Sequence, residues 1–224
     1  MKQHPLAFAF GMVILAACYK SEIDQKPAAQ VSESAASAEA SATAPAITST
    51  EPTPGAVVGR VIKEKSSIDF VAAKVTRDHK GKFRIFDGWI EYAGSKPARI
   101  AFDIDLNSVE TDTEKLTGHL KTADFFDVAK YPKAMFVSTS LTEAGAGTPP
   151  GTTHVLKGNL DLHGVTKEVT IPVIAKTTPD GVRTTSEFTI NRHDWGVSYR
   201  GAADDLIKDE VLIKLDLMFP PPPA

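Results

Sequence analysis

Ala98-Arg99-Ile100-Ala101-Phe102-Asp103-Ile104-Asp105-Leu106 alternates along its length. Ile100, Phe102, Ile104 and Leu106 fall on one face, with Arg99, Asp103 and Asp105 opposite. That is the period-two pattern of a half-buried β-strand. The same reading applies to 67–76, 82–92, 134–141, 153–163, 166–176, 183–191 and 210–219. Turn-forming clusters separate these runs: Asp78-His79-Lys80-Gly81, Gly94-Ser95-Lys96-Pro97, residues 145–151, His163-Gly164 and Pro179-Asp180-Gly181. Eight strands joined by short connections predict an antiparallel meander. A sheet of that size removes its edges by closing, so an eight-stranded barrel is expected, its interior filled by side chains or holding one small ligand.

One stretch breaks the pattern. Thr111-Asp112-Thr113-Glu114 reads as a capping box, and Leu116 and Leu120 follow at helical spacing. Thr122–Val128 reads as a second helical turn, ended near Tyr131-Pro132 because a residue before proline avoids the helical region. Two such turns between strands predict a cap of short helices over one end of the barrel.

The flanks differ in kind. Met1-Lys2-Gln3-His4 is polar and basic, residues 6–17 are apolar, and Ala16-Ala17 precede Cys18, the one cysteine of the 224 residues. This is the layout of an export signal, too short to span a bilayer, with 1–17 removed. A single thiol forms no internal disulfide, so the exported domain must be stable without one. Residues 18–55 are rich in Ala, Ser, Thr, Pro and Glu, and are expected to form a disordered tether with a reach of roughly 35 Å. Residues 56–219 suit one domain with one core, and 220–224 form a proline-rich tail. With 25 basic against 28 acidic side chains and no basic block, nucleic acid is not an expected partner.

Several motifs occur in a telling order. Ser67-Ile68-Asp69-Phe70 stands near the start. Ile104-Asp105 and Ser108-Val109-Glu110-Thr111 lead to the run from His119 through Asp124-Phe125-Phe126-Asp127 to Val128. Tyr131-Pro132 and Phe136 come next, then Leu156–Lys167, Ile190-Asn191-Arg192-His193-Asp194-Trp195-Gly196 and Asp209-Glu210-Val211. Through these the chain resembles the YceI-like family over nearly all of 57–219. Two places depart from the family pattern: Arg77–Phe83, less glycine-rich, and Glu114–Gly118, which leads into His119-Leu120. The resemblance implies a lipocalin-like barrel that binds a polyisoprenoid or quinone-like lipid, and no cofactor beyond such a ligand. Leu15-Ala16-Ala17-Cys18 likewise resembles the bacterial lipobox, which implies lipidation (palmitate included) of Cys18 and attachment to a membrane of the cell envelope. Tyr19, in place of an aspartate, favours the outer membrane, facing the periplasm.

A lipid channel needs apolar walls, and Phe70, Phe83, Phe86, Trp89, Phe102, Phe125, Phe126, Phe136, Phe188 and Trp195 could supply them. Alternation places Ile68, Phe70, Ile100, Phe102, Ile104, Leu160, Leu162, Phe188 and Ile190 inside, with Phe125 and Phe126 at the helical lid. For any single one of these, core filling is the better reading; the family resemblance is what turns the set towards a cavity. His119 on the lid is a candidate contact for a polar headgroup, or a surface histidine bonding its own loop. Arg192 and Lys167 are further candidates for an anionic headgroup. No His-Glu-x-x-His or Gly-x-Ser-x-Gly pattern is present, so no catalytic residue and no metal ligand is assigned. Two other readings stay open: an envelope enzyme, metal-assisted or not, and a structural lipoprotein whose barrel is filled solid. No residue demands a membrane redox partner or a homodimer.

Overall fold

The computed structural model describes residues 20–34, 50–74, 76–202 and 205–223. Its strands are β1 (Gln30–Glu33), β2 (Val57–Arg60), β3 (Ser67–Lys74), β4 (Asp78–Phe83), β5 (Phe86–Ala93), β6 (Lys96–Asp105) and β7 (Val109–Thr111). After helix α1 (Glu114–Leu120) come β8 (Lys133–Glu143), β9 (His154–Leu162), β10 (Val165–Thr178), β11 (Gly181–Asn191), β12 (Gly201–Ala202) and β13 (Asp205–Phe219). They form one strongly curled antiparallel sheet in the order β2-β5-β6-β8-β9-β10-β11-β13-β3-β4-β7, with β1 on β10 and β12 on β13. The chain beyond β2 draws the sheet round on itself. Val61 N–H donates to Gly88 in β5, and Ile62 N–H donates to Met218 in β13.

The expected barrel is present, with more strands than eight because short pieces extend its rim. One long strand expected over 82–92 is two, β4 and β5, interrupted at Arg84-Ile85. Asp78–Gly81, read as a turn, is instead the first part of β4, paired with β3 from Ala73↔Asp78 to Ile68↔Phe83. His79 explains the shift: it is buried, and its Nδ1 lies 3.0 Å from the Asp112 carboxylate, tying β4 to the chain before α1. The cap of α1 also moves. Thr113, not Thr111, accepts from Leu116 N–H, while Thr111 Oγ donates to the Thr113 carbonyl. The second helical turn is absent, and Thr122–Val128 is a chain of tight turns, with Asp127 in the left-handed region at φ 46°.

Inward side chains follow the predicted alternation. Ile68, Phe86, Ile90, Ile100, Phe102, Leu156, Phe188, Ile190, Leu217 and Phe219 form one buried cluster with Trp195. Two glycines make room for rings: a Cβ on Gly158 would stand 2.4 Å from the Phe136 ring, and one on Gly88 2.3 Å from Phe102.

The tether boundary needs correction. Residues 20–34 are not a free tether; they lie along the outer wall as a strap. Ile23, within a short 3-10 turn capped by Ser21, is buried against Val71, Ala73 and Leu212. Val71 and Leu212 point outward from β3 and β13, and would face water without the strap. Ser21 Oγ donates to Asp78 at 2.6 Å, and ion pairs join Glu22 to Lys214, Asp24 to Lys208, Lys26 to Glu187 and Glu33 to Lys167. Composition misleads here because one isoleucine meets an apolar patch built by residues far along the chain. Cys18, the expected export signal over 1–17 and residues 35–49 lie outside the described residues.

Candidate functional site

The end of the barrel beneath α1 differs from the opposite end. The helix is amphipathic, with Leu120 buried and Leu116 partly so. Both pack with Phe70, Val109, Phe125 and Val197 in a second cluster that also takes in Phe83, Phe126 and Tyr199. This cluster is a lid. Its rings touch in sequence: Phe70 and Phe83 centroids are 5.5 Å apart, Phe83 and Phe126 6.0 Å, and Phe125 and Tyr199 5.2 Å.

Below the lid, several inward side chains are only partly buried: Phe83, Ile104, Phe136, Leu160, Leu162, Val165, Val211 and Ile213. Phe83, Val211 and Ile213 also pack against the lid cluster, while Ile104, Leu160 and Leu162 end β6 and β9, and Phe136 and Val165 lie near the starts of β8 and β10. An inward residue that keeps accessible area has open space in front of it, since close packing would cover it. At the other end Ile68, Ile90, Ile100, Leu156, Ile171, Val173, Leu217 and Phe219 are buried against one another. The barrel is thus more tightly packed away from the lid, where Tyr92, Leu141 and Leu215 alone of the inward apolar residues described stay partly exposed. It is looser beneath the lid, where Lys167 interrupts an otherwise apolar wall.

The expected site residues divide accordingly. Ile68, Phe86, Ile100, Phe102, Phe188 and Ile190 are inside and buried, while Ile104, Phe136, Leu160 and Leu162 line the looser part. Phe70, Phe83, Phe125 and Phe126 belong to the lid. Trp89 is a correction. It alternates with inward Phe86, Gly88 and Ile90, so it lies on the outer face, its Nε1–H donating to the Thr50 carbonyl and Arg99 stacked 5.0 Å above its ring. Beside it Glu91 is buried; burial pushes its carboxyl up, but the Thr53 amide and hydroxyl and Arg99 outweigh this and hold it below its ordinary value. Sequence alternation alone does not say which face a segment from elsewhere will cover.

The polar candidates are spoken for. His119 Nε2 is 2.7 Å from Asp124, and the ring stands edge-on to Phe125 and Tyr199, each at 5.0 Å. It bonds its own loop and fixes the lid. Arg192 is buried just past the end of β11, donating to the Val197 and Lys208 carbonyls and facing Asp209. Burial pushes its guanidinium below its ordinary value, and Asp209 pulls it partly back. Lys167 pairs with Glu33 of the strap. Among the described residues, no three His, Cys, Asp or Glu side chains converge as metal ligands.

What sequence reading missed is a split in the wall. The β10–β11 ladder runs only from Thr178↔Gly181 to Ile174↔Thr185. At Pro172 it stops. Ser186 Oγ donates to the Pro172 carbonyl, so that carbonyl faces β11. The N–H of the same strand residue would face the same way, and proline has none. Past this point the strands part, and the strap fills the slot as a stave. Thr189 N–H donates to Pro27, Ala29 N–H donates to Thr189, and β1 pairs with β10 from Gln30↔Thr170 to Glu33↔Lys167. A proline inside an otherwise regular strand run was the available signal.

The geometry defines a lidded, apolar-walled β-barrel of the lipocalin-like type. The chain belongs to the YceI-like domain family, which it matches over residues 60–219. It is 32% identical over 142 residues to a UPF0312 protein of Pseudomonas putida strain W619, covering 60% of this chain and 71% of that protein. It is 38% identical over 93 residues to the YceI protein of Salmonella arizonae, covering 41% and 46% of the two chains. Among solved structures, Burkholderia cenocepacia BcnA shares the fold with a TM-score of 0.60 at 24% identity, over 70% of this chain and 98% of that one. A polyisoprenoid-binding domain from Saccharophagus degradans, implicated in plant cell wall breakdown, does so at 0.59 and 19% identity, over 75% and 99%.

Proposed function

We propose that this chain is an envelope lipoprotein that holds a polyisoprenoid or quinone-like lipid in the lid-side half of its barrel, with Cys18 as the lipidated anchor. The observation that carries the reading is the graded interior: more tightly packed at one end, and looser beneath the lid between Ile104, Phe136, Leu160 and Ile213. Each methylene transferred from water to such a wall stabilises the complex by about 0.8 kcal/mol. A few isoprene units therefore offset the ordering cost of a flexible ligand and reach micromolar affinity. The polyisoprenoid-binding domain of Saccharophagus degradans, alike in fold, and the lipobox-like Leu15–Cys18 support the same reading.

The test is to purify the full chain from its own membranes and analyse the organic extract by mass spectrometry. A stoichiometric isoprenoid is expected. Cys18→Ser should free the protein from the membrane fraction and leave the bound lipid unchanged. An empty barrel in both preparations would refute lipid binding, and membrane retention of the serine variant would refute the anchor.

A further inference from the structure

The slot between β10 and β11 has a property the lid lacks: it opens the barrel sideways. Its flanks are Val169 and Ile171 on β10 and Phe188 and Ile190 on β11, all in the interior cluster. Only Ala29 and Val31 of the strap cover them, two small side chains packed on the same cluster. The stave is held by a four-residue ladder, one parallel bridge from Ala28 to Thr189, and side-chain pairs that are largely water-exposed. Elements with short ladders and exposed pairs lie at the low end of local stability. Outside the slot, at the point where the strands part, the wall carries a cavity of about 660 Å³. Pro27, Pro149, Pro150, Pro172 and Ile174 form an apolar strip in it, bordered by charged Lys26, Asp69, Glu187, Lys214 and Asp216. Apolar interior, thin cover and the vestibule's apolar strip lie in line.

We propose that the slot is the side port through which the lipid enters and leaves, and that Pro27–Glu33 is its gate. The inference rests on the lipid-binding reading above. An elongated apolar chain can pass from the vestibule over Ile174 and Pro172 onto Val169 and Phe188 when the stave lifts, with no rearrangement of α1. Lifting the stave unpairs one edge of β10, a cost that favours reclosure once the ligand is inside. Gating by a segment of the same chain thus couples loading to the state of the strap.

Ser32 and Glu168 are register partners on the outer face, with Oγ and Oε1 3.2 Å apart, so cysteines there can lock the gate without touching the interior. The experiment uses the full chain carrying Cys18→Ser, Ser32→Cys and Glu168→Cys. Uptake of a dansyl-tagged farnesyl alcohol from phosphatidylcholine vesicles is followed by stopped-flow fluorescence, before and after reduction. Oxidised protein should load at least tenfold more slowly than the same protein after dithiothreitol, and reach the same final occupancy. In the chain without the two cysteines, Ile23→Asp should undock the strap and speed loading. Equal rates in the oxidised and reduced forms would overturn the port and leave lipid binding standing. No uptake in either form, nor in the parent chain, would remove lipid binding and the port together. A disulfide found between two chains would assign the stave to a second copy and overturn gating in cis.

Discussion

Gly158 and Gly118 show how one residue type serves opposite ends here. Gly158 lies on β9 facing inward, where a Cβ would stand 2.4 Å from the Phe136 ring and 2.6 Å from the Val137 carbonyl oxygen. The ring could swing aside, but the backbone oxygen cannot, so Gly158→Ala should destabilise the fold by about 1–3 kcal/mol, the usual cost of overpacking. Gly118 sits inside α1, and a methyl group added to it would meet nothing within 4 Å. There alanine relieves the helix of its most flexible residue, and Gly118→Ala should stabilise by about 0.5–1 kcal/mol. Urea denaturation of the two variants checks both signs. A neutral Gly158→Ala would mean that β8 and β9 can separate under strain, and that the wall there is softer than its ladder implies.

At the scale of elements, the strap is the least stable part of the wall, and its ion pairs give it a pH dependence. The Glu22 carboxyl is held below its ordinary value, chiefly by the hydrogen bond from Lys214, and the Asp24 carboxyl by that from Lys208. Both are depressed on docking. Their contribution is therefore complete above the ordinary carboxylate range, about pH 4, and is lost as pH falls through and below it. Amide exchange over 21–33 should accelerate on acidification from about pH 5 to about pH 3, while β11 and β13 stay protected. Equal protection of strap and barrel across that interval would show that Ile23 and the β1 ladder alone hold the strap. The strap also marks the limit of what the sequence disclosed. Strands such as β6 were legible because each carries its own alternation, as with Ile100, Phe102 and Ile104. The lid was legible from Leu116 and Leu120, and the interior positions from Ile68, Phe188 and Ile190. Ser21–Glu33 was not, because its order comes from Val71 and Leu212, outward apolar residues on strands read as half-polar, and from a ladder cut short at Pro172. Trp89 failed for the same reason: what buries it is residues 50–53, contributed from outside its own strand.

Under the proposed anchoring through Cys18, the strap sets how the whole molecule would stand at a membrane. A free chain from Cys18 to the barrel would let the domain wander over roughly 35 Å. With Ser21 bonded to Asp78 and Ile23 buried, only Cys18 to Lys20 remain, an extended reach of roughly 10 Å. Asp78 starts β4 on the lid side, so an anchored Cys18 brings the lid end and the upper part of the slot against the bilayer, with the β5–β6 turn furthest away. Energy transfer to rhodamine-labelled lipid should therefore be stronger from a donor at Glu114→Cys, on α1, than from one at Ser95→Cys, in that turn. Ile23→Asp should lower both and bring them close to equal, because the released strap restores the longer reach and loses the orientation. Equal transfer from the two positions in the parent protein would show that the anchor does not orient the barrel. In the proposed reading, a barrel so oriented would meet its ligand where the ligand is dissolved, and a strap that both orients it and covers the slot would make attachment and loading parts of one mechanism.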